Sequence, residues 1–501
     1  MVLPDMDRAE FLSWLVKGAA GAVAGGLLAQ SAVGADPGAA EPITVLSGAT
    51  VIDGTGSPPR PDMTIVLAAD RILAVGRYPD LPRLPAVRTL DLTGKFVIPG
   101  LWDMHTHMAQ AESTFPPLHV VHGVTGIREM WGFPEIHDLR RRIEQGAVLG
   151  PRIVLASSII DGPPGIWPGS TVVSNEAEAR AAVRRSKHEG ADFVKVYSLL
   201  THETFTAIAD ESRRVGLPFA GHVPHRIPVA EAVELGQHTI EHLYGMLLST
   251  SSRTSELYAE INAGPMDPEA QRVGRARMER AAADTHSPEV AAALFDLMIR
   301  RGTWQSPTLV VLERLATGVA PGRPDDDRLR YLPDFLRQFW QQRIGPEPDA
   351  AQATTLRRNF DSRLELLGAM NAAGVGIVAG TDAGNPFVFP GFSLHEELEL
   401  LVRAGLSPMQ ALQAATRDAA RCAGLAAVSG TVEVGKNADL VVLDSDPLAA
   451  IGNTRRIHAV VCRGRYLDPA DRERILREVE AAAQVEYPAL PTGGLAFDCC
   501  G

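Results

Sequence analysis

The sequence predicts an α/β protein in which a parallel (β/α)8, TIM-like barrel is joined to a small β-sandwich domain. Two observations predict this architecture. Both ends of the chain contain short strand-like runs separated by turn residues, whereas the long middle alternates strand-like and helix-like segments. With 501 residues, the chain is also long enough to bury a large core and to form more than one structural unit.

The two β-rich ends are expected to form one sandwich domain from residues 42–100 and 426–470. The first segment contains "ITVLSGATVIDG", "MTIVLAADRILAVG" and "TLDLTGKFVIPG", in which Asp-Gly, Pro-Pro and Gly turns separate the apolar runs. The second segment contains "GTVEVGKNADLVVLDSD" and "RIHAVVCRGRYL", which again are short strands. Residues 471–501 are expected to be a C-terminal tail.

The middle of the chain, residues 101–425, contains eight strand-like segments, which is the number that closes a (β/α)8 barrel. The segment entering "LWDMHTH" is followed by "GVTGIREM", "PRIVLASS", "DFVKVYS", "PFAGHVP", "HTIEHLYG", "TWQSPTLVVL" and "GVGIVAGTDAG". Amphipathic stretches such as 176–189 and 201–215 predict helices between strands. Residues 246–287 and 313–350 are longer than ordinary connections, so they are expected to be insertions over one face, forming a lid or a homo-oligomer contact.

Charge and the N-terminal segment limit the partners and the location. A formal net charge of −12 argues against nucleic acid or an anionic membrane surface as the partner, and favours a small-molecule substrate. The run "KGAAGAVAGGLLAQSAVGAD" ends in an A-x-A-like cleavage pattern, so residues 1–35 are expected to be an export signal. The mature protein would then be periplasmic or secreted, without a membrane span. The alternative is an unstructured extension on a cytoplasmic protein.

Lys195 lies in the apolar stretch "ADFVKVYSLL", where a charged side chain is costly to bury. Three explanations are available: the strand is an exposed edge, the amine has an acidic partner, or the amine is chemically converted. Strands that alternate with helices are parallel and buried on both faces, which excludes the exposed edge. The other two explanations remain open.

A set of nitrogen and oxygen donors stands where the predicted barrel strands end. The set consists of His105, His107, Lys195, His222, His242 and Asp382. Barrel enzymes carry their chemistry at the C-terminal ends of the strands, so these side chains are expected to converge. Imidazole and carboxylate together suit Zn²⁺, and the absence of cysteine from the set disfavours a purely structural zinc site.

The chain resembles the amidohydrolase superfamily, specifically its binuclear-metal branch. The resemblance comes from the initial strand pair, the Gly-Leu-x-Asp-x-His-x-His stretch at 100–107, the barrel pattern and the closing "GTVEVGKNADLVVLD". It extends over nearly the whole chain after residue 42. Within the branch, the sequence is similar to imidazolonepropionase-like proteins, Xaa-Pro and Xaa-Arg dipeptidases and ochratoxinase-like amide hydrolases.

The resemblance implies two divalent metal ions, with zinc as the expected metal, and a hydroxide between them as the nucleophile. It assigns His105, His107 and Asp382 to the first metal, His222 and His242 to the second, and Lys195 to both. Lys195 would bridge the metals as a carbamate formed with CO₂, since burial favours the neutral amine that adds CO₂. Asp382 would act as general base and then as general acid. A buried salt bridge at Lys195 is the alternative.

Four further side chains are candidate substrate contacts: Tyr197, His225, Tyr244 and Arg128. The two tyrosines each follow a predicted ligand by two residues, so strand alternation directs them to the ligand side. Packing at the barrel rim is the alternative for both. Arg128 ends the second strand, where it would meet a substrate carboxylate bidentately or form a structural ion pair. Trp167, in a Gly/Pro loop, is expected either to wall the pocket or to pack at the surface.

The sequence therefore predicts a metal-dependent hydrolase of amide or peptide-like C–N bonds. Small dipeptides or N-acyl amino acids are the expected substrates. Hydrolysis of esters, lactones or carbamates is an alternative, because the same nucleophile attacks any of these carbonyl groups. A catalytically silent zinc-binding protein of the same fold is a second alternative.

Overall fold

The structure is a computed structural model that describes residues 43–77, 87–107, 111–265, 267–317, 326–343 and 348–485. The predicted export signal at 1–35 lies outside the described residues, as does the part of the predicted C-terminal tail beyond residue 485. The part of that tail that is described is mainly helical, since a helix covers Pro469–Ala483.

Strands lie towards both ends of the described chain, with one helix after the last strand, and helices separate most strands of its middle. In chain order, the strands are β1 (Ile43–Val51), β2 (Arg60–Ala68), β3 (Arg71–Gly76), β4 (Val87–Asp91), β5 (Phe96–Pro99), β6 (Leu101–Thr106), β7 (Val124–Glu129), β8 (Arg152–Leu155), β9 (Ile160–Asp161), β10 (Thr171–Val172), β11 (Val194–Val196), β12 (Phe219–Gly221), β13 (Thr239–Glu241), β14 (Trp304–Ser306), β15 (Leu440–Leu443), β16 (Ile457–Cys462) and β17 (Arg465–Leu467). The α-helices are α1 (Phe115–Val121), α2 (Pro134–Glu144), α3 (Glu176–His188), α4 (His202–Val215), α5 (Val229–Leu235), α6 (Met246–Ser249), α7 (Thr254–Ala263), α8 (Pro268–Ala283), α9 (Pro288–Arg301), α10 (Leu309–Ala316), α11 (Asp334–Arg343), α12 (Ala350–Ala373), α13 (Phe392–Arg403), α14 (Pro408–Ala414), α15 (Arg417–Cys422) and α16 (Pro469–Ala483). Two 3-10 helices cover Asp327–Tyr331 and Ile451–Arg455.

Strands from both ends of the chain pair in one sheet, in the order β17-β16-β15-β5-β1-β2-β3, with β4 beside β1. The antiparallel pairing of β5 with β15 joins the two ends, with Val97 opposite Val442. Alternate residues of these strands, such as Leu46 and Ile65, are buried in one apolar cluster. Both ends of the chain therefore contribute strands to one hydrogen-bonded sheet, whereas the prediction was a sandwich, and the predicted domain boundaries stay a prediction.

The middle of the chain contains parallel sheets. One has the order β6-β7-β8 and the other the order β10-β9-β11-β12-β13-β14. Strand β11 carries Lys195 and lies between β9 and β12, so it is not an edge strand. Its residues are buried, as are those of β12 and β13. Burial on both faces explains why these strands read as apolar runs rather than as alternating ones.

Isolated parallel bridges connect these sheets further. Ala156 pairs with Phe193, Gln305 pairs with Ile377, and Thr106 pairs with Ala383. The predicted eighth strand, "GVGIVAGTDAG", contributes bridges and single hydrogen bonds rather than a continuous strand. Gly380 allows this close approach, because a Cβ atom there would lie 2.7 Å from the Ser306 Oγ and 2.9 Å from the His105 Cβ.

Helices follow the parallel strands as the sequence pattern predicts. Helix α3 begins after Asn175, whose side chain accepts a hydrogen bond from the Glu178 amide. Helix α4 begins with a capping box between Thr201 and Thr204 and ends at Gly216, which has a φ of 64°. Such caps satisfy backbone groups that the helix ends would otherwise leave unpaired.

The two predicted insertions are mainly helical where the structure describes them. Residues 246–287 contain α6, α7 and α8, and residues 313–350 contain a 3-10 helix and α11. Trp340 of α11 is buried and donates a hydrogen bond from Nε1 to the Gly384 carbonyl oxygen at 2.9 Å. This segment therefore covers the loop that follows Asp382. None of the helices in the described ranges has the length and apolar character needed to cross a membrane.

Candidate metal centre

The residues predicted as metal ligands are buried at or just after the ends of parallel strands. His105 lies in β6 and Lys195 in β11, while His222 and His242 directly follow β12 and β13. The exposed fraction of each of the six predicted ligands is 4% or less. The strand ends therefore bring together residues that are far apart in the sequence.

Asp382 is the centre of this arrangement. Its Oδ1 lies 2.9 Å from the His107 Nε2 and 3.5 Å from the His105 Nε2. One ligand atom each from His105, His242 and Asp382 lie within 4.8 Å of one another, which is compatible with a shared cation. This group combines a residue predicted for the second metal, His242, with two predicted for the first.

Three of the predicted histidine ligands have their rings held through the Nδ1 atom. The Nδ1 of His105 lies 2.8 Å from the Glu241 Oε2, and that of His222 lies 2.8 Å from the Ser198 Oγ. The Nδ1 of His242 lies 2.6 Å from the Thr308 Oγ1. The Nε2 atoms of His105 and His222 are buried and have no hydrogen-bond partner among the described residues. Partners that hold one ring nitrogen and leave the other to a cation are typical of metal-binding histidines.

Arg128 was predicted either to contact the substrate or to form a structural ion pair, and its guanidinium group is hydrogen-bonded to protein groups. Its Nη2 donates to both carboxylate oxygens of Glu241, at 2.8 Å and 2.9 Å. Its Nε donates to the Met104 carbonyl oxygen and its Nη1 to the Thr239 hydroxyl. Glu241 is fully buried, so the arginine supplies the positive charge that the carboxylate needs there. Arg128 thus forms the structural ion pair, which was the alternative.

Electrostatics favour neutral imidazoles and an ionised aspartate. Burial lowers the pKa of His105 and of His222 well below the usual value, and it lowers the pKa of His242 to about 4. Burial alone would raise the pKa of Asp382, but His105, His107 and His242 reverse this effect and hold the pKa below its usual value. Neutral imidazole and carboxylate are the protonation states that bind a divalent cation.

Lys195 is close to the same histidines. Besides burial, its positive charge contributes to the lowered pKa of His105 and of His222. Its Nζ lies 5.8 Å from the centre of the Tyr197 ring. Gly221, next to it on β12, has a φ of 135°, and a Cβ atom there would lie 2.2 Å from the Val196 carbonyl oxygen. An ammonium group in this position would oppose cation binding, whereas an anionic group would assist it.

The backbone is unusual at the same place. His242, Thr308 and Asp382 have φ values of 60°, 47° and 63°, in the left-handed region. A non-glycine residue in this region lowers the stability of the fold by roughly 1–3 kcal/mol. Such residues persist where the surrounding structure imposes the conformation, and they are frequent at functional sites. Asp103 in β6 connects this strand to the segment that contains Asp382. Its carboxylate accepts hydrogen bonds from the Thr381 amide at 3.0 Å and from the Thr381 hydroxyl at 2.6 Å.

The candidate substrate contacts surround His222. The Tyr197 ring stacks on the His222 ring with centroids 4.1 Å apart, and the Tyr244 ring does so at 4.4 Å. The Tyr197 hydroxyl accepts a hydrogen bond from the Trp167 Nε1 at 2.7 Å, so Trp167 is buried against the site rather than packed at the surface. His225 joins the group through its Nε2, 3.1 Å from the Tyr244 hydroxyl.

Sequence reasoning missed the residues that orient the ligands. These are Glu241, Thr308, Ser198 and Asp103. Glu241 had the same signal as Lys195, namely a charged residue within a buried strand, in "TIEHL". Ser198 and Thr308 had no comparable signal, because a hydroxyl group near a strand end is common in loops of any function.

Comparisons with known proteins find similar sequences and structures. Imidazolonepropionase of Geobacillus kaustophilus (strain HTA426) is 23% identical over 410 residues, which are 76% of this chain and 82% of that protein. Imidazolonepropionase of Maricaulis maris (strain MCS10) is 43% identical over 102 residues, but this match covers 20% of the chain and only 25% of that protein. Among solved structures, bottromycin amidohydrolase has a TM-score of 0.67 and 25% identity, covering 88% of this chain and 90% of that one.

A family match decides the assignment. The amidohydrolase family matches residues 119–467, which is more than half of the chain and includes Lys195, His222, His242 and Asp382. The match confirms the resemblance seen in the sequence. The chain belongs to the amidohydrolase family.

Proposed function

We propose that this protein is a metal-dependent hydrolase that cleaves amide or peptide-like C–N bonds of small substrates. One observation carries the proposal: buried, neutral His105 and His242 lie close enough to the ionised Asp382 to share a cation with it, and other side chains hold their Nδ1 atoms. The similarity to bottromycin amidohydrolase supports the reaction class, because the name of that protein describes hydrolysis of an amide.

The proposal includes a closed barrel. The chain of parallel pairings runs from β6 through β8 to β11, continues to β14 and reaches residue 377. The bridge between Thr106 and Ala383 then returns to β6, so each of the eight strand segments has two neighbours. A closed ring explains why the ends of distant strands meet in one buried site.

The donor set suits two divalent cations, for which zinc is the expected metal. His105, His107 and Asp382 would hold one, and His222 and His242 the other. Lys195, converted by CO₂ to a carbamate, would contact both, which removes the conflict between an ammonium group and the bound cations. When bound, such ions polarise a carbonyl oxygen and make water nucleophilic at neutral pH.

The residues of the chain then supply orientation and proton transfer. An Oδ atom of Asp382 takes a proton from the attacking water and delivers it to the nitrogen of the leaving amine, so that the C–N bond breaks with a neutral amine as product. The low pKa of Asp382 keeps it available as a base. Tyr197 and Tyr244 flank His222, where a hydroxyl group would donate to the substrate carbonyl. His225 would orient the Tyr244 hydroxyl.

A screen of substrates tests this proposal. Dipeptides and N-acyl amino acids should be hydrolysed by the zinc-loaded protein, and esters, lactones and carbamates should be slower. A preference for lactones or esters would favour the alternative hydrolase. If no carbonyl compound is hydrolysed although two metals are bound, the protein is a silent zinc-binding member of the family. Asp382→Asn is the matched control, since it retains the size of the side chain and removes the base.

A further inference from the structure

Arg275 packs against the candidate site from the predicted insertion at 246–287. It lies in α8 and only 4% of its surface is exposed. Its guanidinium carbon is 3.4 Å from the centre of the Tyr244 ring, and that ring stacks on His222 with centroids 4.4 Å apart. The guanidinium group is therefore separated from a predicted metal ligand by a single aromatic ring.

The charge of Arg275 is only partly compensated. Its Nε donates to the Glu279 Oε1 at 3.1 Å, while the Glu279 Oε2 accepts a hydrogen bond from the Arg363 Nη2 at 2.7 Å. Two guanidinium groups thus share one carboxylate. The Nη2 of Arg275 is buried and has no hydrogen-bond partner among the described residues. A buried donor without a partner is costly, and in a binding site that cost is recovered when a ligand supplies the acceptor.

The rings of Tyr244 and His225 lie beside the guanidinium group. Tyr244 lies under the guanidinium group, and burial lowers the pKa of His225 to about 3, so that ring is neutral near pH 7. A neutral histidine next to the arginine avoids repulsion between two cations. Arginine is also the side chain best suited to recognise a carboxylate, through two parallel N–H donors.

We propose that Arg275 binds the carboxylate of the substrate, so that the preferred substrates are amides whose amine half is an amino acid with a free α-carboxylate. This inference rests on the proposed amide hydrolysis and specifies its substrate class. The guanidinium carbon is 3.4 Å from the centre of the Tyr244 ring and that ring is 4.4 Å from the His222 ring, so the carboxylate would be bound on the Tyr244 side of the site. Arg275 would thereby bind the substrate carboxylate, which is one of the two roles that the sequence predicted for Arg128.

A pair of substrates tests the inference. The best N-acyl amino acid from the screen is compared with its analogue in which a hydroxymethyl group replaces the carboxylate. Wild-type protein should prefer the acid, and Arg275→Met should lower kcat/KM for the acid by roughly 10- to 150-fold, the range expected for a charged hydrogen bond. The rate for the alcohol analogue should stay close to that of the wild type. Arg277→Met is the matched control, since Arg277 lies on the same helix but is exposed and pairs with Glu260.

The outcomes separate the two proposals. If the wild type cleaves neither compound, amide hydrolysis itself is wrong. If it cleaves the acid and the alcohol equally well, only the role of Arg275 is wrong, and this comparison holds even if the methionine variant fails to fold. Binding of the product amino acid, measured by calorimetry on the metal-loaded protein, should weaken in Arg275→Met and remain unchanged in Arg277→Met. Equal binding in both variants would overturn the inference.

Discussion

The ion pair between Arg128 and Glu241 gives the sharpest prediction about the site, because it connects stability with metal binding. Arg128→Met retains most of the side-chain length and removes the charge. Glu241 is then a buried carboxylate without its main compensating partner. Removing one member of a buried pair typically costs about 3–5 kcal/mol of unfolding free energy.

The structure also predicts a pH dependence. In the wild type, burial favours a higher pKa for Glu241, but Arg128 and His105 reverse this and hold the pKa below its usual value. Without Arg128 the effect of burial prevails, so the folded variant binds a proton that the unfolded chain has released. The destabilisation should therefore grow as the pH rises above the usual glutamate pKa, by about 1.4 kcal/mol per pH unit until the folded state also ionises.

The same substitution should weaken metal binding. A protonated Glu241 is a weaker hydrogen-bond acceptor for the His105 Nδ1, and this contact fixes the ring. Loss of such a supporting partner typically lowers metal affinity about 10- to 100-fold. Urea unfolding of the metal-free protein from weakly acidic to neutral pH measures the first effect, and zinc titration against a chelator measures the second.

A matched control separates stability from metal binding. Arg152→Met breaks the ion pair with Asp439, which is largely buried beside the sheet formed by both chain ends. It should lower stability without changing zinc affinity. If Arg128→Met changes neither zinc affinity nor the pH dependence of stability relative to this control, the proposed link from Arg128 through Glu241 to His105 is wrong.

Three further predictions concern residues that support the site. Thr308→Val removes the hydroxyl group that lies 2.6 Å from the His242 Nδ1. It should lower the zinc affinity about 10- to 100-fold, as measured by competition with a chelator. An unchanged affinity would contradict the role of Thr308 in orienting the His242 ring. Burial raises the pKa of Glu397 to about 8, so this group lowers the stability of the folded protein as the pH rises from about 4.5 towards 8. Glu397→Gln should abolish this part of the decline of Tm with pH in thermal melting experiments. The same pH dependence of Tm in the wild type and in the variant would refute this. Trp167→Phe removes the N–H group that donates a hydrogen bond to the Tyr197 hydroxyl. If Tyr197 acts on the substrate carbonyl group, the variant should change kcat more than KM. Equal changes in kcat and KM would indicate that Trp167 and Tyr197 only pack against each other.

The candidate ligands could be picked out in the sequence because they obey a local rule. His105, Lys195, His222 and Asp382 each stand at the end of an apolar run, and parallel strands bring such ends together regardless of the distance along the chain. The buried lysine was informative for the same reason, since a charge inside a strand demands an explanation. Strand β11 proved to be an interior strand, as this reasoning required.

Other features depend on contacts between distant segments, which a single sequence does not reveal. Arg128 and Glu241 are 113 positions apart, so the sequence did not reveal that Glu241 is the partner of the arginine. For this reason the sequence left open whether Arg128 binds the substrate or forms an ion pair within the protein. Arg275 lies in α8, and no local sequence pattern relates this helix to the strand ends that carry the candidate ligands. The predicted eighth strand also differed from expectation, since it contributes isolated bridges and a close contact at Gly380 rather than a continuous strand.

The number of metal ions bound by the wild type and by Lys195→Ala tests the central claim most directly. We expect close to two divalent ions per chain in the wild type. The alanine variant should bind fewer ions and lose its activity, with part of both restored by short carboxylic acids that replace the carbamate. One ion or none in the wild type, or full metal content and activity in the variant, would contradict a bridged binuclear site.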